Sequence, residues 1–313
     1  MAEHQGDDRI MIKKVGFFAL LLASILLFSF LLYGEQSDLL PVQGIRAEDG
    51  DTILVQLPDG TRQDVRYASI NAPRLDQCLG KNASEFNDVL IKGKNLWLDR
   101  HPVKDRYEMA QDRLVAHVFL SPTVTQTSSV SAILVAAGLA RLDVFYPNDT
   151  AIRNGDDFSV RYTNFIILAQ IDAAGSKRGL WGQCDNYAEA NLIIAVVRQW
   201  SDDEIVYLLN RGEQPIDLAQ SWILKDGSDS DRNVLDLSDH LMGECLLPPG
   251  GVLRIHSGSI ATGRGGEHTP CGSSPIDFYW TGYRIWDQDK DEARLYSPDG
   301  DLVNTYAYPL DWK

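Results

Sequence analysis

The chain has 313 residues, 44% of them hydrophobic, and a formal net charge of -15. That length allows two domains of ordinary size, and that apolar content excludes a wholly disordered chain. The charge argues against a broad basic face for long nucleic acid, since phosphate contacts supply most of such affinity. Residues 35–190 hold 21 acids against 16 bases and residues 191–313 hold 20 against 10, so the acidity concentrates in the C-terminal part without leaving the rest basic.

Near the N-terminus lies "KKVGFFALLLASILLFSFLLYGEQSD" (13–38), in which Val15 to Tyr33 carry no charge. At a rise of about 1.5 Å per residue such a segment nearly spans a ~30 Å hydrocarbon core. Lys13 and Lys14 precede it, and Glu35 and Asp38 follow it. That asymmetry predicts residues 1–14 in the cytoplasm, a transmembrane signal anchor at 15–33, a linker at 34–40 and extracytoplasmic domains beyond, on a single-pass cell-membrane protein. A cleaved signal peptide is the alternative, but "LLYGEQSD" offers no small-x-small cleavage site and no cysteine for lipid attachment.

Residues 41–186 read as a first domain. "PVQGIRAEDGDTILVQLPDGTRQDVRYASINAP" alternates like a β-meander, with a turn signal at "PDG". "NASEFNDVLIKG" predicts a helix with Phe86, Val89 and Leu90 on its apolar face, closed by Gly93. "NLWLDR" and "RLVAHVFL" read as strands, "SSVSAILVAAGLARL" as a short helix, and "VRYTNFIILAQIDAAGSKRGLWGQC" as a longer helix ending around Gly175–Gly179.

The ordered set "DGDTI" (49–53), "VRYASINAPR" (65–74), "GKNLWL" (93–98), "DRLVAHVF" (112–119), "LVAAGLARL" (134–142) and "KRGLWG" (177–182) resembles the staphylococcal (thermonuclease) nuclease family. The resemblance covers roughly Pro41 to Gln183 and implies an OB-fold five-stranded barrel with packed helices. It also implies calcium-assisted phosphodiester hydrolysis. In that chemistry two carboxylates and a backbone carbonyl hold a hard cation. A glutamate positions or deprotonates water, and two arginines bind the phosphate and stabilise transition-state charge.

Carried onto this sequence, the first metal carboxylate matches Asp51, the arginines match Arg66 and Arg113, and Ala72 supplies the carbonyl. The family's "DTPE" or "DAPE" is here "NAPR", so the second carboxylate becomes Asn71 and the base position holds Arg74. Arginine stays protonated and cannot act as a base, and calcium affinity follows ligand charge. The resemblance with these departures implies a nuclease-like protein with a degraded active site and weak or no hydrolysis. Bound Ca²⁺ is doubtful, and single-stranded DNA or RNA or another anion is the implied partner. Three readings of Arg74 stay open. It clamps a phosphate with Arg66 and Arg113; it seals the site by pairing with Asp51; or Asp76 or Glu85 replaces it as base in an active calcium-dependent endonuclease. Phe145 and Tyr146 fall where the family stacks substrate bases, with Asp143 intruding.

Residues 190–313 change texture to short strands with regular turns, which predicts a β-sandwich. "EIVYLLNRGEQPIDLAQSWILKD" (204–226), "LPPGGVLRIHSG" (247–258) and "DEARLYSPDGDLVNTYAY" (291–308) resemble a lamin-tail domain, an immunoglobulin-like sandwich, with Trp222 and Trp286 where that family packs aromatics. The resemblance implies a binding or spacing module with an unknown surface ligand. A non-catalytic adhesion or spacing role for the whole chain is therefore a further alternative. The fold class expected is mainly β with α: a barrel, then a sandwich.

The four cysteines allow three disulfide connectivities. A division near residue 190 puts two on each side, so Cys78–Cys184 and Cys245–Cys271 keep each bridge within one domain; buried free thiols are the alternative. Asp287, Asp289 and Asp291 alternate like a cation loop but lack the glycine and late glutamate of a helix-loop-helix site. The histidines show no ligand spacing.

Overall fold

The computed structural model describes residues 39–100, 113–144, 158–184, 190–228 and 230–309. The expected membrane span at 15–33 and the expected platform residues Phe145 and Tyr146 lie outside these. Among the described residues no helix is long and apolar enough to cross a membrane.

Five strands close a barrel: β1 (Leu40–Ala47), β2 (Thr52–Gln56), β3 (Arg62–Tyr67), β5 (Asn95–Arg100) and β6 (Leu114–Phe119), in the order β1-β2-β3-β6-β5. Alternation puts Val42, Ile53, Val55, Val65, Tyr67, Leu96, Leu98, Ala116 and Val118 inside, each buried. Between β3 and β5 run the short β4 (Ile70–Asn71) and helix α1 (Gly80–Ile91).

Of the face expected for α1, Phe86 and Leu90 are partly buried against the core, but Val89 is not. Val89 is 73% exposed, whereas Gly80, Ala83, Asn87 and Ile91 are buried. Ala83 packs where a Cβ on Gly50 would come within 2.8 Å of its own, so bulk is excluded there. Asn87 turns inward because its amide accepts from Tyr67 Oη at 2.7 Å and donates to the Asp49 carbonyl at 2.9 Å. Apart from Ile91 the fully buried positions are small or hydrogen-bonded polar residues, which carry little hydrophobic signal.

Helix α2 (Val130–Ala136) starts at Ser129, whose hydroxyl accepts from Ala132 N at 3.2 Å and caps it. Gly138, at φ +70, turns the chain into β7 (Arg141–Leu142), which pairs with β4. Then come α3 (Thr163–Gly175) and the single turn α4 (Leu180–Gln183).

The second half is a sandwich of two four-stranded sheets. One has the order β15 (Ile276–Thr281), β14 (Val252–Gly258), β9 (Asp203–Asn210), β8 (Leu192–Arg198). The other has β12 (Val234–Asp236), β11 (Ile223–Lys225), β16 (Asp291–Tyr296), β17 (Leu302–Tyr308). A small pair, β10 (Ile216–Asp217) with β13 (Leu246–Leu247), stands beside them. Trp286 is buried between the sheets, and Trp222 packs against the same cluster.

β8 has no exposed face along most of its length: Leu192 to Val197 are all buried. Its inward residues Leu192, Ile194 and Val197 join the sandwich core, while Ile193, Ala195 and Val196 join the core of the first domain. The cover on that outer face is α3, a helix with buried residues on several sides. Gln170, fully buried in α3, ties the layers together. Its carbonyl accepts from Leu142 N at 2.6 Å, and its amide donates to Ala195 O at 2.7 Å and Tyr306 Oη at 3.1 Å. Arg141, 2% exposed, stacks its guanidinium 4.1 Å from the Tyr306 ring and 5.5 Å from that of Trp181. Arg211 of the sandwich side donates to the carbonyls of Trp181 and Ala190, each at 2.7 Å.

Candidate functional site

The loop from β1 to β2 carries Asp49 and Asp51. Asp51 is buried at 5% exposure, held by its own N–H to Asp49 Oδ1 at 3.0 Å. Its Oδ2 accepts from Ala72 N at 2.6 Å, and its Oδ1 lies 3.1 Å from Arg66 Nε. Burial pushes the Asp51 carboxyl up to about 6; Arg66 and the Ala72 N–H pull it down, and neighbouring Asp49 raises it.

Arg66 projects outward from β3. Its Nη1 donates to the carbonyls of Tyr67 and Ile70, both at 2.8 Å. These carbonyls bracket the turn in which Ser69 takes φ 65, the left-handed region that costs a non-glycine residue. The guanidinium therefore staples the turn and the Asp51 carboxylate at once. Nη2 has no partner among the described residues, so a fixed, partly exposed donor edge remains for a ligand.

Arg113 is half-buried immediately before β6. The parallel register Arg66↔Val115 puts Arg113, two residues earlier, on the same face of the barrel as Arg66. Asn71 Nδ2 donates to Asp143 Oδ2 at 3.1 Å, and Asp143 is 9% exposed. The carboxylate absent at position 71 is thus supplied next to it from the residue after β7. Asp143 is the functional neighbour that sequence reasoning placed elsewhere, because only the Asn71↔Arg141 register brings it here.

Arg74 does not reach Asp51. It sits on an exposed loop, its Nε 3.8 Å from Asp76 and its N–H on Gln77 Oε1 at 2.7 Å. The pairing with Asp51 that would seal the site is made by Arg66 instead. Asp76 is 80% exposed in its side chain and faces Arg74. Glu85 is exposed on α1, two residues past Ala83 and hence about 200° around the helix from the face that packs on Gly50. Neither acid is ion-paired into the Asp51–Arg66 group.

Calcium takes 6–8 oxygen ligands and its affinity follows their charge. Both Asp51 oxygens are engaged, one by an arginine; Asn71 contributes no charge, and the nearby Asp143 carboxylate accepts from the Asn71 amide. Among the described residues no group of three His, Cys, Asp or Glu side chains is placed to hold a metal.

Residues 64–183 match the family model described as Staphylococcal nuclease homologue, and residues 185–309 match that of the Lamin Tail Domain. The chain carries a staphylococcal nuclease-like domain followed by a lamin tail domain. No curated protein matches it.

In the nuclease-like domain the Cys78–Cys184 disulfide, Cα atoms 6.1 Å apart, ties the Arg74 loop to the end of α4. His117 on β6 is buried, its Nε2 2.9 Å from the Phe158 carbonyl, and burial pulls its pKa down to about 4. Next to it Asp99 accepts from Arg161 at 3.0 Å and Tyr162 Oη at 2.9 Å, which anchors the start of α3 on the barrel.

In the lamin tail domain Cys245–Cys271 closes a second bridge, Cα atoms 5.0 Å apart. Asp291 of the acidic run is a backbone clip: its oxygens accept from Gly227 N, Glu292 N and Asp287 N at 2.7–3.1 Å. Asp287 and Asp289 are exposed. His256 bridges Asp203 at 2.8 Å and Asp277 at 3.1 Å, and Arg254 grips Asp277 through two bonds. That network is internally paired and fixes β14 between β9 and β15.

Proposed function

We propose that the chain is a membrane-anchored, extracytoplasmic nuclease-like protein whose barrel binds a phosphodiester or a related anion with little or no hydrolysis. The observation that carries this is the state of Arg66. Its guanidinium is fixed by Asp51 and two backbone carbonyls and keeps one donor edge free, with Arg113 on the same face. A preorganised guanidinium edge is a phosphate-binding element. Hydrolysis also needs a base beside the reacting water, and the position that would supply it holds an exposed arginine. The membrane anchor rests on the uncharged run at 15–33 and its flanking charges.

The test is digestion and binding of single-stranded DNA and RNA by the full chain, with calcium and with chelator. Expected is no calcium-dependent cleavage, with salt-sensitive binding of oligonucleotide that Arg113→Ala weakens. Cleavage that requires calcium and disappears in Asp51→Ala would replace this reading with an active endonuclease using a relocated base. No binding at all would leave an adhesion or spacing role.

A further inference from the structure

We propose that the outer face of β5, β1 and β2 is a second binding site, for an uncharged glycan chain. Three side-chain amides stand in one row across this face. Gln43 on β1 is paired in register with Asn95 on β5 and with Gln56 on β2. Directly paired residues on antiparallel strands share a face with Cβ atoms about 4.5–5.5 Å apart, so the amides are immediate neighbours. All three are exposed, and Gln43 and Asn95 have no hydrogen-bond partner among the described residues. In the next outward row Pro41 is paired with Trp97. With Leu57, Pro58 and Gly60 these residues line an open groove of about 570 Å³.

The chemistry of the lining selects the ligand class. Among the described residues the groove's lining side chains carry no charge; Arg62, paired with Gln56, stands next along the row, and a single cation there supplies little of the affinity for a phosphate backbone. Each amide offers donors and an acceptor, the pattern that matches vicinal hydroxyls. The half-buried Trp97 presents a flat apolar surface beside them, suited to the C–H face of a pyranose. A proline-rich peptide is a poorer fit, because such grooves are aromatic-lined and only one aromatic ring stands here. The groove is separate from the Arg66 site. Asp51 precedes β2 and Gln56 ends it, five residues or about 17 Å of extended chain apart.

The experiment is isothermal titration of the full chain, in a detergent without a sugar headgroup, with cellohexaose and chitohexaose. Oligothymidylate and decaproline serve as comparison probes. Expected is saturable binding of at least one glycan, weakened about fivefold by Gln43→Ala, in line with loss of one hydrogen bond. Gln43 is exposed and unpartnered, so this variant keeps the fold. Trp97→Ala weakens binding at least tenfold, and Trp97→Phe recovers part of it and guards against misfolding. The proposal is overturned by no glycan binding, by binding that Gln43→Ala and Trp97→Phe leave unchanged, or by a groove that takes decaproline or oligothymidylate in place of glycan.

Discussion

Asp51→Asn separates two buried titrations that mask each other. In the folded chain the Asp51 carboxyl is raised from 3.8 to about 6. Between those values the folded state binds more protons than the unfolded one, so this group's stability contribution is full below 3.8 and is lost as pH rises through about 6. A pKa displaced by about two corresponds to about 3 kcal/mol. His117, lowered from 6.5 to about 4, acts oppositely: its contribution is present above 6.5 and is lost as pH falls towards 4. That swing is also about 3 kcal/mol. In the parent the Asp51 and His117 slopes oppose each other across the interval. An amide at position 51 cannot titrate, so the variant loses the Asp51 slope and keeps those of His117 and the other shifted groups. Urea unfolding of both proteins from pH 4 to pH 7 should show the variant gaining on the parent by about 2–3 kcal/mol towards pH 7. That gain is read against a constant offset from weakening the Arg66 pair. A pH-independent difference, or one that favours the parent as pH rises, would refute the account of Asp51 as a desolvated carboxylate.

Gln170→Ala strands Leu142 N and Ala195 O in a dry interior, and at about 1–3 kcal/mol each it should lower stability by roughly 2–5 kcal/mol. Thermal unfolding should move as one transition, and movement of one half alone would refute a shared core. Removing Cys78–Cys184, which closes 106 residues, should cost up to about 4–5 kcal/mol in urea unfolding. Removing Cys245–Cys271, which closes 26, should cost about 3–4 kcal/mol, and the reverse order would count against the loop-entropy argument. Asn71→Asp sets a second carboxylate about 3 Å from Asp143, so its melting temperature should fall in chelator and recover with millimolar calcium; no calcium-dependent recovery would deny that these residues face one ion-sized space. Adding Arg74→Glu to that variant should raise calcium-dependent DNA cleavage at least tenfold over the parent, by restoring a general base; no gain would mean that the exposed loop carries position 74 away from the reacting phosphate.

Strands of the barrel and of the sandwich are legible because alternation survives where one face meets a core and the other meets water, and the closed barrel follows from the ordered family motifs. Legibility fails where that contrast fails. The α1 face was legible only in part: Phe86 and Leu90 pack on the core, but Val89 faces solvent, and Gly80, Ala83 and Asn87 are buried with little apolar signal. β8 shows no such contrast because both of its faces are covered. At the site, Asp51, Arg66 and Arg113 could be placed from sequence through the "DGDT", "VRY" and "DRL" motifs. Asp143 could not, because its place beside Asn71 depends on pairing between two-residue strands 70 positions apart. The staple made by Arg66 was also hidden. A side chain that binds two carbonyls of its own turn looks, in one dimension, like any arginine on a strand.

The shared core decides what kind of module the lamin tail domain can be here. A spacer on a flexible tether would leave the outer face of β8 polar; instead Ile193, Ala195 and Val196 are buried among residues of the nuclease-like domain. The C-terminal strand reaches the site through contacts that are each tight. Tyr306 stacks on Arg141, β7 pairs with β4, and β4 leads into Ala72, whose N–H holds Asp51. The lamin tail domain therefore bears on the Arg66 site through packed, hydrogen-bonded contacts. A ligand that binds only the folded state stabilises it by RT ln(1 + [L]/Kd). In one cooperative unit, an anion at Arg66 and a glycan at Gln43 would each raise the same transition, and together they would add.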